Sequence, residues 1–143
     1  MTAREVALAR AALAAGDGLL CQSICLDLLA EHPSHGEAAS LLLGALTSAP
    51  PGAWALTDRD AAQWVDVVPD PVERQYLHGM LAYRRAVAMQ AEAVPGFVVR
   101  GWLDKALASF DAVLVEAPEH AGARVRAALV RRIVAYNPEL APR

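Results

Sequence analysis

Lysine occurs once in this chain, at Lys105, and only eight of the 143 residues are aromatic. Valine and isoleucine together number 16 and are scattered rather than alternating, so strands have little support. There are two cysteines, Cys21 and Cys25, too few and too close for a disulfide framework. Long apolar runs are also missing. The opening "MTAREVALARAALAAGDG" has arginines inside its apolar stretch and does not read as a signal peptide. The longest uncharged stretch, 38–57, is broken by Pro50, Pro51 and Gly52 and cannot span a bilayer as one helix. No membrane insertion is expected, and the cytoplasm is the default compartment. A net charge of −3 gives no general attraction to nucleic acid.

Alanine fills the space these absences leave, at 31 positions. It is the best helix former and lets helices approach closely, so an all-α protein is expected. The length is about one domain's worth and buries a core without staples. Twelve arginines against one lysine resemble the codon bias of a GC-rich bacterium.

Punctuation divides the chain into seven expected helices. The first covers 2–15 and is stopped by Gly16-Asp17-Gly18. The second covers 19–31 and ends at Pro33. Ser34 with Glu37 three residues on makes a capping-box pattern for the third, 36–47. After the loop "SAPPGAWAL" a short helix, 58–68, is capped by Thr57 or Asp58. Asp70-Pro71 opens a long fifth helix that runs to Pro95-Gly96. "FVVRG" reads as a connection into a sixth helix, 102–117. The last runs from about 121 to Tyr136 and is terminated by Asn137-Pro138.

Two stretches repeat one another. "LLAEHPSHGEAA", 28–39, and "VLVEAPEHAGAR", 113–124, each place Glu two residues before proline and His two residues after it. Gly16 precedes Pro33 by 17 residues, as Gly101 precedes Pro118 by 17. Within those windows Cys21 matches Ala106 and Cys25 matches Phe110. Gly101, Ala106, Phe110 and Pro118 resemble the second helix of the tetratricopeptide repeat, a helix–turn–helix unit of about 34 residues. "GDGLLCQSICLDLLAEHP" is similar, with cysteine in both the small and the aromatic position. Gly79 stands where the family has its crossing glycine. The second repeat lacks the glycine–alanine–aromatic register, and the first helices lack the usual Trp.

The resemblance implies an α-solenoid of about three repeats, about 2–35, 36–69 and 70–120, the last lengthened by some fifteen residues, with a capping helix at about 121–136. One such unit cannot bury its apolar face alone, so neighbours stack. The family's first helices line a groove for a peptide or helix of a partner protein. Carried onto this chain, that groove includes Arg10, Ser40, Tyr76, Met80, Tyr83, Arg84 and Arg126, beside Val6, Leu41, Gly44 and Val130. Tyr76, Met80 and Tyr83 occupy adjacent turns of one helix, which suits a binding surface and equally a core stripe. The cationic clamp of chaperone-tail receptors is absent, since its places hold Val6, Arg10, Leu41, Glu73 and Leu77.

Trp54 in the "PPGAWAL" loop and Phe97 in the "VPGFVV" tip are candidate contacts for a partner or a second copy, or else plugs for the ends of the core. Arginines 124, 126, 131, 132 and 143 make the segment 119–143 basic, at +3. They read as a solvated face suiting the helix dipole, with an acidic or phosphate ligand as the lesser alternative. Cys21, Cys25, His32 and His35 have a spacing that in principle binds zinc, yet both cysteines fall at packing positions, so no metal is expected. No phosphate loop, catalytic carboxylate pair or nucleophile elbow appears, which leaves neither an enzyme nor a cofactor. The expectation is an adaptor or scaffold. The alternative is a self-associating structural or regulatory subunit of a larger bacterial assembly, such as secretion or signalling machinery.

Overall fold

The computed structural model describes residues 2–49 and 57–140, and all regular structure among them is helical. The protein is all-α. Seven α-helices follow in order: α1 (Thr2–Ala14), α2 (Gly18–Glu31), α3 (Gly36–Ser48), α4 (Asp58–Ala61), α5 (Pro71–Ala91), α6 (Gly96–Glu116) and α7 (Ala121–Tyr136). Single 3-10 segments follow α4 and α7, at Ala62–Val67 and Pro138–Leu140. The chain divides into two compact units, Met1–Arg74 and Gln75–Arg143. Trp54 and the loop around it lie outside the described residues.

In the first unit α2 packs on α1 and α3, and the 3-10 segment packs on α3. The core is mostly small: Ala9, Cys21, Cys25, Ala38 and Ala39 are wholly buried, with Leu28, Leu29, Leu42 and Leu43 filling between them. α1 closes with Gly16 in the left-handed conformation (φ 83°), while the amides of Gly16 and Asp17 return to the carbonyls of Leu13 and Ala12. Asp17 then caps α2 by accepting from the Leu20 amide at 3.2 Å.

In the second unit α6 packs on α7, and α5 crosses α6 at Gly79. A Cβ at Gly79 would lie 2.6 Å from Phe110 Cε1, so the wholly buried ring occupies the space that only glycine leaves. α5 closes as α1 does, but with Ala93 in the left-handed conformation (φ 59°), its amide bonding to Gln90 and that of Val94 to Met89. The segment Pro138–Leu140 folds back: Leu140 is buried against α6, and Arg100 donates to its carbonyl at 3.4 Å.

Three expectations about local structure change. α6 begins at Gly96 rather than 102, because the Pro95 carbonyl receives the amides of Val98 and Val99 and the buried stripe Val99, Leu103, Ala106, Phe110 is continuous. Tertiary packing here overrides the weak helix propensity of paired valines. The helix over 58–68 tightens into 3-10 geometry after Ala61. Ser34 is not the cap of α3; that place is taken by His35.

Candidate interaction surfaces

The doubled proline–histidine motif builds one turn twice. Helix α2 ends at His32 (φ −132°, ψ 78°) and α6 at Ala117 (φ −137°, ψ 78°). Three residues on, His35 (φ −73°, ψ 99°) and His120 (φ −66°, ψ 100°) open the next helices. Each imidazole Nδ1 accepts from the amide three residues ahead, Ala38 at 3.1 Å and Ala123 at 3.0 Å. This satisfies a helix-terminal donor in the manner of Asn or Ser. The register extends into both helices: Cys21 and Ala106, Cys25 and Phe110, Leu28 and Val113, Ala38 and Ala123, Leu42 and Ala127, Ala45 and Val130 are buried pair by pair.

The side chains expected at the groove occupy distinct environments. Arg10 reaches from α1 to Glu37 of α3 at 2.6 Å, both largely exposed. Ser40 of α3 donates to Glu73 in the first turn of α5. Tyr83 of α5 lies under the guanidinium of Arg126 on α7, 5.6 Å from the ring centre. These contacts join α1 to α3, α3 to the start of α5, and α5 to α7, each through half-exposed or exposed polar groups. Tyr76 serves packing: its ring stacks obliquely on Phe110 and His120 at 5.7 and 4.8 Å and covers the first turn of α7 at Gly122. Met80 and Arg84 are buried. Phe97, in the first turn of α6, is 43% exposed.

Most of the C-terminal arginines are engaged at home. Arg131 grips Asp111 with two contacts of 3.0 and 3.1 Å, Arg124 donates to the Pro118 carbonyl at 3.0 Å, and Arg126 covers Tyr83. The cysteines are wholly buried, and Cys21 points its thiol at the Leu41 carbonyl, 3.8 Å away. Burial raises the Cys21 pKa, and burial together with Cys21 pushes Cys25 up to about 12. Both are therefore protonated packing groups at neutral pH, and His35 spends its Nδ1 on α3. Among the described residues no group of three His, Cys, Asp or Glu is placed to hold a metal ion. None of the described helices is long and apolar enough to cross a membrane.

Two features escaped the sequence reading. Gln22 is wholly buried beside the cysteines, and its amide finds no hydrogen-bond partner among the described residues. A polar residue inside the run "LLCQSICL" was the available signal. Trp102 of α6 meets two cations, Arg85 of α5 at 4.8 Å and Lys105 at 4.6 Å from the ring centre. No family model matches the chain, and no curated protein or solved structure matches it.

Proposed function

We propose that this chain is a tetratricopeptide-like interaction module that holds a peptide or helix of a partner protein and performs no chemistry. The observation that carries this reading is the series of side-chain contacts between successive first helices: Arg10 with Glu37, Ser40 with Glu73, and Tyr83 with Arg126. Stacked helical repeats hold their first helices side by side in this manner and leave the exposed polar row facing a ligand. The twice-built proline–histidine turn adds a second feature expected of repeats, a supersecondary unit used more than once.

On this reading Arg10 and Ser40 are ligand contacts of the first unit and Tyr83 and Arg126 of the second, while Met80 and Arg84 belong to the packing within the second unit. Aromatic and arginine side chains are the usual anchors of such contacts. The test is affinity capture with the native chain and with Tyr83→Ala/Arg126→Ala, after circular dichroism has established equal helicity. Loss of a specific partner is the expected result. Capture of the same proteins in the same amounts by both forms would remove this face from the binding surface. Self-association through the lengthened α5–α6 hairpin, which exposes Phe97, is the alternative, and sedimentation separates a monomeric adaptor from a self-assembling subunit.

A further inference from the structure

The α5–α6 hairpin exceeds its counterpart in the first unit. Helix α1 has 13 residues and α5 has 21; α2 has 14 and α6 has 21. Measured from the shared proline–histidine turn, the added length lies at the opposite end, in the last turns of α5 and the first turns of α6. Trp102 stands where that extension joins the common part of α6, with Arg85 reaching it from the late part of α5.

The charges at this indole are unbalanced. Arg85 and Lys105 are exposed, and neither forms an ion pair among the described residues. The adjacent acid, Asp104, is taken by Arg100 at 3.0 Å. Each cation gains roughly 0.5–1 kcal/mol from the ring face at an exposed site. The two nonetheless repel one another, because both lie within 5 Å of the same ring centre. An anion is the group that would relieve this. Two cations are too few for a run of phosphates. Local charge complementarity favours a short segment with paired carboxylates.

We propose that Arg85, Trp102 and Lys105 form a docking site for an acidic peptide segment of a partner protein. The indole holds the two cations together at one place on the surface, and they take the peptide's carboxylates. This inference rests on the reading of the chain as an interaction module and names the chemistry of its partner.

The test is fluorescence anisotropy at low ionic strength, where exposed charges are least screened. The probes are a short fluorescein-labelled Glu-rich peptide, its Gln-for-Glu counterpart and a labelled oligothymidylate. The native chain is expected to bind the Glu-rich peptide in preference to both others. Arg85→Glu/Lys105→Glu should weaken that binding by at least about tenfold, or about 1.4 kcal/mol. Arg4→Glu/Arg59→Glu, with the same change in net charge on exposed residues of the first unit, should leave it nearly unchanged. Arg85→Gln/Lys105→Gln, which adds no repulsion, should also weaken it, and unchanged melting of each variant certifies the fold. Equal binding of Glu-rich and Gln-rich peptides, equal loss in the two charge-reversed variants, or tighter binding of the oligonucleotide would overturn the site. Failure here with partner capture still sensitive to Tyr83 and Arg126 would leave the interaction module intact and remove only this surface.

Discussion

The α2–α3 hairpin of the first unit and the α6–α7 hairpin of the second share a turn almost dihedral for dihedral, yet they are filled differently. Where the second unit sets Ala106 and Phe110, the first sets Cys21 and Cys25. In the second unit the large ring is accommodated by Gly79 on the crossing helix. In the first, α1 meets α2 through Val6, Ala9 and Ala12, and two compact thiols suffice. The turn is thus set by backbone hydrogen bonding and the histidine cap, while the helix-to-helix spacing is left to whichever pair of side chains meets at the crossing. One connection therefore serves a small-residue core and an aromatic one.

Substitution at the matched positions offers the strongest way to break this comparison. Phe110→Ala should destabilise the chain by about 3–5 kcal/mol, because it opens a cavity facing a glycine that cannot fill it. Cys25→Ala, at the equivalent place, removes a single sulfur and should cost about 1 kcal/mol. Urea unfolding curves of the two variants check this, and equal losses would mean that the small-residue and aromatic fillings do not differ in what they contribute.

The caps sharpen the comparison at a smaller scale. His35→Ala should cost about 1 kcal/mol, the usual loss for an N-cap, and His35→Asn should restore most of it. His120→Ala should cost more, by about 0.5–1.5 kcal/mol, because that ring also packs against Tyr76. Thermal melting in parallel gives the order directly; an indifferent His35 would show that the turn holds without its imidazole.

The last effect, absent at neutral pH, is a pH dependence in the cysteine-filled unit. The Cys25 thiol is raised from its ordinary 9.0 to about 12, so the unfolded chain loses that proton first. Stability contributed by this group is present in full below about pH 9 and falls as pH rises toward 12. Cys25→Ala should flatten the fall in a urea titration series above pH 9, whereas Phe110→Leu should leave its slope unchanged. Thiol-directed reagents should likewise modify the folded protein only slowly at neutral pH.

The helices and most of their ends were legible from alanine content, Gly16, Pro33, Pro71 and Pro118, since these act on the backbone of their own neighbourhood. The matched spacing of Glu, Pro and His foretold a repeated turn. Sequence favours Ser34 as the cap because serine is the commoner one, and only backbone direction decides that the His35 ring faces the Ala38 amide. The start of α6 was missed for a similar reason: Val98 and Val99 have poor intrinsic helicity, and burial of Val99 against the rest of the unit outweighs it. Of the proposed surface, register alone nominates single positions such as Arg10 and Tyr83. Their partners Glu37 and Arg126, distant in sequence, were not paired with them.

Sequence alone settled what each short stretch does with its own backbone: all-helical structure, where helices break, and the recurrence of one turn. Those choices depend on local dihedral preference and hydrogen bonding within a few residues. Tertiary structure decided which aromatic is core and which is surface, that Tyr76 supports α7 while Tyr83 meets Arg126, and that Trp102 gathers two cations from different helices. A helix face carries the same periodicity whether it meets another helix or solvent, so only the packing of one element on another separates the two.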